Sequence, residues 1–133
     1  EIPDTAVIHS ARLRLMRAAA SGSPYNLGVI YVDVAPENGF NGRYTLENED
    51  FLANAAVVNA GILSAVNGDN EWAEVLLNDS ARRALNLQGT SQFRLYFTLP
   101  NDKDETPDWL RFYSGDHAQS GAQPQLVVEY TLP

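Results

Sequence analysis

From Thr90 onward the chain carries three segments, Phe93–Leu99, Trp109–Ser114 and Pro124–Leu132, in which apolar and polar residues alternate. Polar turns rich in Gly, Pro and Asp separate them. Alternation with period two sends successive side chains to opposite faces, so each segment buries one face and wets the other. Three such segments in a row point to an antiparallel sheet, with the last strand closing it. Val7–Met16 repeats the pattern, with Val7, His9, Ala11, Leu13 and Leu15 on the side expected to face a core. Leu27–Ala35 is apolar on both sides, as a central strand covered twice would be.

The rest is less regular. Ala18–Tyr25 is small and turn-rich and reads as a loop, and Pro36–Asn41 reads as a turn. Asn48–Asn59 has an Ala-rich body and predicts a short helix anchored by Phe51 and Leu52. Ile62–Val66 and Trp72–Leu77 predict short strands around the turn Asn67-Gly68-Asp69-Asn70. Asp79-Ser80 can cap a helix over Ala81–Leu87, stopped by Gly89. The sum is an all-β antiparallel sandwich of jelly-roll type with one or two short helices, one domain over residues 1–133. Its expected core joins Phe93, Leu95, Phe97, Leu110, Phe112, Leu126, Val128 and Tyr130 to Leu13 and Leu15.

With 133 residues, 44% of them hydrophobic, the chain can bury one core. A net charge of -8 argues against nucleic acid, whose binding needs a basic stripe, and against an anionic membrane surface. Cysteine is absent, which excludes disulfides, thiol catalysis and Cys-ligated zinc. No apolar run approaches the roughly 20 residues of a spanning helix. The opening Glu1-Ile2-Pro3-Asp4-Thr5, without Met and leading quickly into a strand, reads as a piece of a larger or processed protein.

Several stretches together resemble the DNRLRE-type domain, a jelly-roll module of secreted and surface proteins of bacteria and archaea. They are Ile2-Pro3-Asp4 followed by Ser10-Ala11-Arg12-Leu13-Arg14-Leu15, then Gly89–Leu95, then Phe112–Asp116 with Pro124–Tyr130. The stretch from about Pro36 to Trp72 matches poorly. The resemblance implies a β-sandwich, a secreted or cell-surface location, in some relatives carbohydrate binding, and no catalytic residues. Domains of this type begin with additional strands ahead of the segment that starts here at Ile2. Their absence implies that the fold closes differently or that another chain supplies the piece.

Three candidate sites stand out. Arg94 and Tyr96 on one segment, and Trp109, Arg111 and Tyr113 on another, alternate against the more apolar residues and are expected on an outer face. Flat rings stack on sugars and Arg forks fit carboxylates, so such a face could bind an acidic polysaccharide. The plainer alternative is an ordinary outer face with Arg94 or Arg111 paired to Glu129. The turn Asn101–Glu105, with Asp102, Asp104 and nearby Asp108, gathers oxygen ligands suited to Ca²⁺, although Lys103 opposes a cation. The plainer alternative is a solvated acidic hairpin tip. His9 and His117 are too far apart to make a metal motif. Ser114, Asp116 and His117 lie in one loop and do not make a triad, because adjacent loop residues do not converge in that geometry. Lys103, the single lysine, sits in a polar turn, unsuited to an isopeptide crosslink.

The sequence therefore predicts a non-catalytic module that binds carbohydrate or mediates adhesion. The alternative is a self-assembling surface or filament subunit completed by a neighbour's strand. An enzyme would need converging titratable groups that the motifs do not supply.

Overall fold

The computed structural model describes residues 2–133. Seven strands form two antiparallel sheets packed face to face, a β-sandwich. In the first sheet β1 (Val7–Ser21) lies between β4 (Trp72–Leu76) on one edge and β7 (Gln125–Thr131) and β6 (Trp109–Phe112) on the other. In the second sheet β2 (Ile30–Val34) lies between β3 (Val57–Leu63) and β5 (Phe93–Phe97). The only α-helix among the described residues, α1 (Asp79–Arg83), bridges β4 to the β5 side; Asn78 caps it by accepting the Ala81 N–H at 2.9 Å.

Between the two register shifts of β1, the odd-numbered residues Ala11–Arg17 bond to the β4 side, as in Leu77 N–H to the Ala11 carbonyl and Arg17 N–H to the Glu71 carbonyl. The even-numbered residues Ser10–Met16 bond the other way, as in Tyr113 N–H to the Met16 carbonyl. The β7 partners run from Val7↔Thr131 to Arg14↔Gln125, and the β6 partners from Arg17↔Phe112 to Ser21↔Trp109. Thus β7 and β6 follow one another along one edge of β1. Ala18–Ser21, read from the sequence as loop, belongs to this strand because pairing with β6 outweighs the weak strand preference of alanine.

A register shift between Ile8 and Ser10 corrects the expected face of the strand start. One extra residue reverses which side chains point inward. Ile8 packs on the core, while Val7 and His9 are exposed, and His9 Nε2 lies 2.9 Å from Thr131 Oγ1. Beyond the shift, Ala11, Leu13 and Leu15 are buried as expected.

The core is built from β1, β2, β3 and β4: Ala11, Leu13, Leu15, Ile30, Val32, Val34, Ala60, Leu63, Ala73, Val75 and Leu77, with Ala81 and Leu85 from the crossover. On one side the two sheets are joined: Ser64 N–H donates to the Glu74 carbonyl and Asn78 N–H to the Ala60 carbonyl, both at 2.9 Å. The approach is close enough that a Cβ on Gly61 would lie 2.5 Å from Val75 Cγ2, so only glycine fits there.

The C-terminal strands depart from the expected core. Phe93, Leu95, Phe97, Leu110, Phe112 and Val128 only pack against it from its margin, and Leu126 and Tyr130 are exposed at 38% and 40%. The middle of the chain departs further. The helix expected over Asn48–Asn59 is a single 3₁₀ turn, Asn48–Phe51, and its supposed anchors Phe51 and Leu52 are 69% and 85% exposed. The strand expected at Ile62–Val66 lies at Val57–Leu63 instead, ending before the turn.

Candidate functional site

Opposite the β3–β4 seam the sandwich is open. The register of β2 with β5 pairs Asp33 with Arg94 and Tyr31 with Tyr96, and the ladder continues in Ala35 N–H to the Gln92 carbonyl and Thr98 N–H to the Val29 carbonyl. In an antiparallel pair, hydrogen-bonded and non-bonded positions alternate. The inward bonds therefore fall on Gln92, Arg94, Tyr96 and Thr98, and the N–H and C=O groups of Phe93, Leu95 and Phe97 point away from β2 along a free edge.

The facing edge follows the same rule. Leu126 and Val128 lie opposite Leu13 and Ala11, whose backbone groups face β4, so their own face outward. Leu110 and Phe112 alternate with Tyr113, whose N–H bonds β1, and share that free edge. Six of these seven pack their side chains against the core between the sheets, and Leu126, on the same face as Leu13, stays exposed at the rim. Leu95, Phe97, Leu110 and Phe112, over Ile30, line a cleft of about 160 Å³. Phe93, Leu126, Leu85 and Leu87 line a second, of about 340 Å³, beyond it. Unpaired backbone groups and apolar side chains thus coincide on one side of the molecule.

Outside the β2–β5 pair, the segment from Pro36 to Ala56 is pinned to the sheet. Arg94 Nη2 donates to Asp33 Oδ2 at 2.5 Å. Its Nη1 donates to the carbonyls of Asp50, Phe51 and Ala53 at 2.8, 3.1 and 2.8 Å. Its guanidinium lies 4.6 Å from the centre of the buried Phe40 ring. Asp33 Oδ1 accepts the Asn59 N–H at 2.9 Å and the Tyr96 hydroxyl at 3.4 Å. Burial, with the Asp33 carboxylate next, raises the Tyr96 hydroxyl above its ordinary value.

These contacts correct the expected outer face. Arg94 is not a free ligand-binding group: its side chain is 17% exposed and fully engaged with Asp33 and three carbonyls. Tyr96 is half-buried beside it. Trp109, Arg111 and Tyr113 lie in the other sheet, because β5 and β6 belong to different sheets, so the five residues do not share a face. Arg111 is exposed and stacks on the half-buried Trp109 ring at 4.6 Å. The Tyr113 hydroxyl donates to Asn70 Oδ1 at 2.9 Å, and its ring packs on His117 with centroids 4.3 Å apart. Glu129, the partner considered for either arginine, accepts the Ser10 hydroxyl at 2.7 Å instead.

The turn between β5 and β6 does bring Asp102, Asp104 and Asp108 together. One carboxylate oxygen of each lies within 4.8 Å of the others, a set that could hold a metal ion. Asp108 Oδ1 also accepts the Ser23 N–H at 2.5 Å, tying the turn to the end of β1. The Thr106 N–H, bonded to Asp104 at 2.8 Å, holds that carboxyl below its ordinary range. Ser114 and Asp116 bond each other through hydroxyl and carboxylate, which lowers Asp116. His117 Nδ1 instead accepts the Gln119 N–H at 3.2 Å, so the three residues of that loop do not form a relay.

The resemblance implied a missing strand but not which side of the sandwich is open, and sequence reasoning passed over the role of Asp33. A lone Asp inside the doubly apolar Leu27–Ala35 was the available signal, since a carboxylate in such a strand needs a buried partner. No family model, curated protein or solved structure matches this chain.

Proposed function

We propose that this chain is a non-catalytic structural β-sandwich unit of a secreted or surface assembly, completed by a β-strand that another polypeptide lays along its open side. One observation carries this: Phe93, Leu95 and Phe97 on one edge, and Leu110, Phe112 and Val128 on the other, each combine an outward-facing backbone with an apolar side chain packed toward the core. An added extended chain would pair the backbone groups and cover the side chains in one step, the strand-addition mode of association. The location follows from the resemblance of Ser10–Leu15, Gly89–Leu95 and Pro124–Tyr130 to DNRLRE-type modules. A polysaccharide-binding face is less well supported, because Arg94 is sequestered and the Trp109 ring is already stacked by Arg111. We also propose that Asp102, Asp104 and Asp108 take Ca²⁺, on the convergence of their oxygens.

Amide hydrogen exchange tests strand addition. In the dilute chain these edge amides exchange fast, and a soluble peptide of alternating valine and threonine slows them. Slow exchange at all of them in the isolated monomer would mean a sandwich already closed and would refute the proposal.

A further inference from the structure

We infer that the strand added along the β5 edge belongs to a second copy of this chain, paired β5 to β5 about a two-fold axis, with the β6 and β7 edge left outside this contact; this rests on the strand-acceptor function proposed above. Two features of β5 point to a copy of itself rather than to an unrelated strand.

The first is symmetry. The residues with outward backbone groups and inward side chains read Phe93, Leu95, Phe97, the same in both directions about Leu95. Antiparallel pairing centred there sets Leu95 opposite Leu95 of the second copy, and Phe93 opposite its Phe97. All three positions are of the hydrogen-bonding kind, so each pair exchanges two N–H···O=C bonds. The contact is isologous: the same patch serves both copies, and it closes as a dimer. The two β3–β2–β5 sheets then become one six-stranded sheet, and neither β5 edge remains open.

The second is charge. A chain of net charge -8 repels its copy unless the contact arranges the charges. The Thr98–Asp108 end of β5 carries Asp102, Asp104, Glu105 and Asp108 against Lys103. Near the opposite end, Arg82 and Arg83 lie with Leu85 and Leu87 around a cavity, and the same two leucines line the cleft beside Phe93. Arg82 is paired to Asp79 at 2.5 Å, while Arg83 is exposed and forms no ion pair among the described residues. Antiparallel pairing reverses the second copy, so each acidic turn comes to the arginine end of the other. A parallel contact would bring acidic turn to acidic turn.

Sedimentation and amide exchange across a concentration series, on the wild-type chain and on Leu95→Pro, test this. The Leu95 N–H faces the free edge, so proline there removes the bonds at the two-fold while Arg94 and Tyr96 keep those to β2. The expected result is a doubling of mass with concentration, a matching slowing of the Phe93, Leu95 and Phe97 amides, and a dimer dissociation constant raised about 100-fold or more in the variant. Doubling of mass while those wild-type amides stay fast, or a variant that keeps its β2 amide protection and dimerises as well as wild type, would overturn the inference. A monomer at all concentrations whose edge amides are still slowed by the valine–threonine peptide would overturn the second copy and leave strand addition standing. A monomer indifferent to the peptide would overturn both.

Discussion

Arg94 and Asp33 face each other across neighbouring strands at 2.5 Å, the carboxylate side chain only 2% exposed. The pair carries the attachment of the Pro36–Ala56 segment, because the same guanidinium also reaches the carbonyls of Asp50, Phe51 and Ala53. Removing either partner strands a buried charge. Arg94→Ala and Asp33→Asn are each expected to cost about 3–5 kcal/mol in urea denaturation. Arg43→Ala, which breaks the exposed pair with Glu47, is expected to cost at most about 1 kcal/mol. In a folded Arg94 variant the Leu52 and Ala53 amides, bonded to Glu49 and Asp50, should exchange faster than in wild type.

Core position and groove position separate by burial. Leu63→Ala and Leu77→Ala remove fully buried side chains and are expected to cost about 2–5 kcal/mol. Phe97→Ala in the monomer is expected to fall below the roughly 3–5 kcal/mol of a buried Phe, because its ring already meets solvent. A loss at Phe97 in dilute solution within the roughly 3–5 kcal/mol of a fully buried Phe would show that the groove is filled.

Glu74 sits between Arg12 and Arg14, bonded to them at 2.8 and 2.6 Å. These two bonds, that from Arg12 first, hold its carboxyl below the ordinary 4.5. A carboxylate lowered on folding stabilises the protein above its unfolded value, and that contribution disappears as pH falls through the lowered folded value. The pair lies near the surface, so about 0.2–1 kcal/mol per bond is expected. Glu74→Gln should flatten the pH dependence of stability in that acidic window and leave the rest of the profile unchanged, read from denaturation midpoints.

The Asp102, Asp104 and Asp108 turn contains Lys103, which weakens any cation there. Ca²⁺ affinity in the range of roughly 10⁻⁴–10⁻³ M is expected. At tenfold excess over that constant, binding adds about 1.4 kcal/mol of stability. Calorimetric titration should show one site, lost in Asp104→Asn. No heat and no thermal shift with Ca²⁺ would return the turn to a solvated hairpin tip.

What sequence reasoning could see followed from how local the cause was. Five of the seven strands start within one residue of the expected position, because period-two alternation is written residue by residue, whereas β2 starts three residues late and β3 five residues early. The shift at His9 is invisible to that logic: one inserted residue changes no composition, yet exchanges Ile8 for Val7 and His9 at the core. Ala18–Ser21 looks like loop because alanine has little strand preference, and only β6, some ninety residues later, makes it a strand. Phe51 and Leu52 looked like anchors on hydrophobicity alone, whereas the segment is held through backbone carbonyls by Arg94. The placement of β5 and β6 in different sheets is a fact of topology, and it divided the five expected ligand residues between two surfaces.

The pairing of β1 also governs when this fold can form. Its partners are β4, β6 and β7, all more than fifty residues downstream, and the last of them ends at Thr131. During synthesis Arg12–Met16 gain a partner once β4 has emerged, while the opposite edge of β1 waits for β6 and β7. Contacts of such long separation fold on the slow, millisecond-to-second scale of all-β proteins. The edge of β1 that carries β6 and β7 is therefore the last part of the first sheet to be paired, and the sheet is completed only with β7.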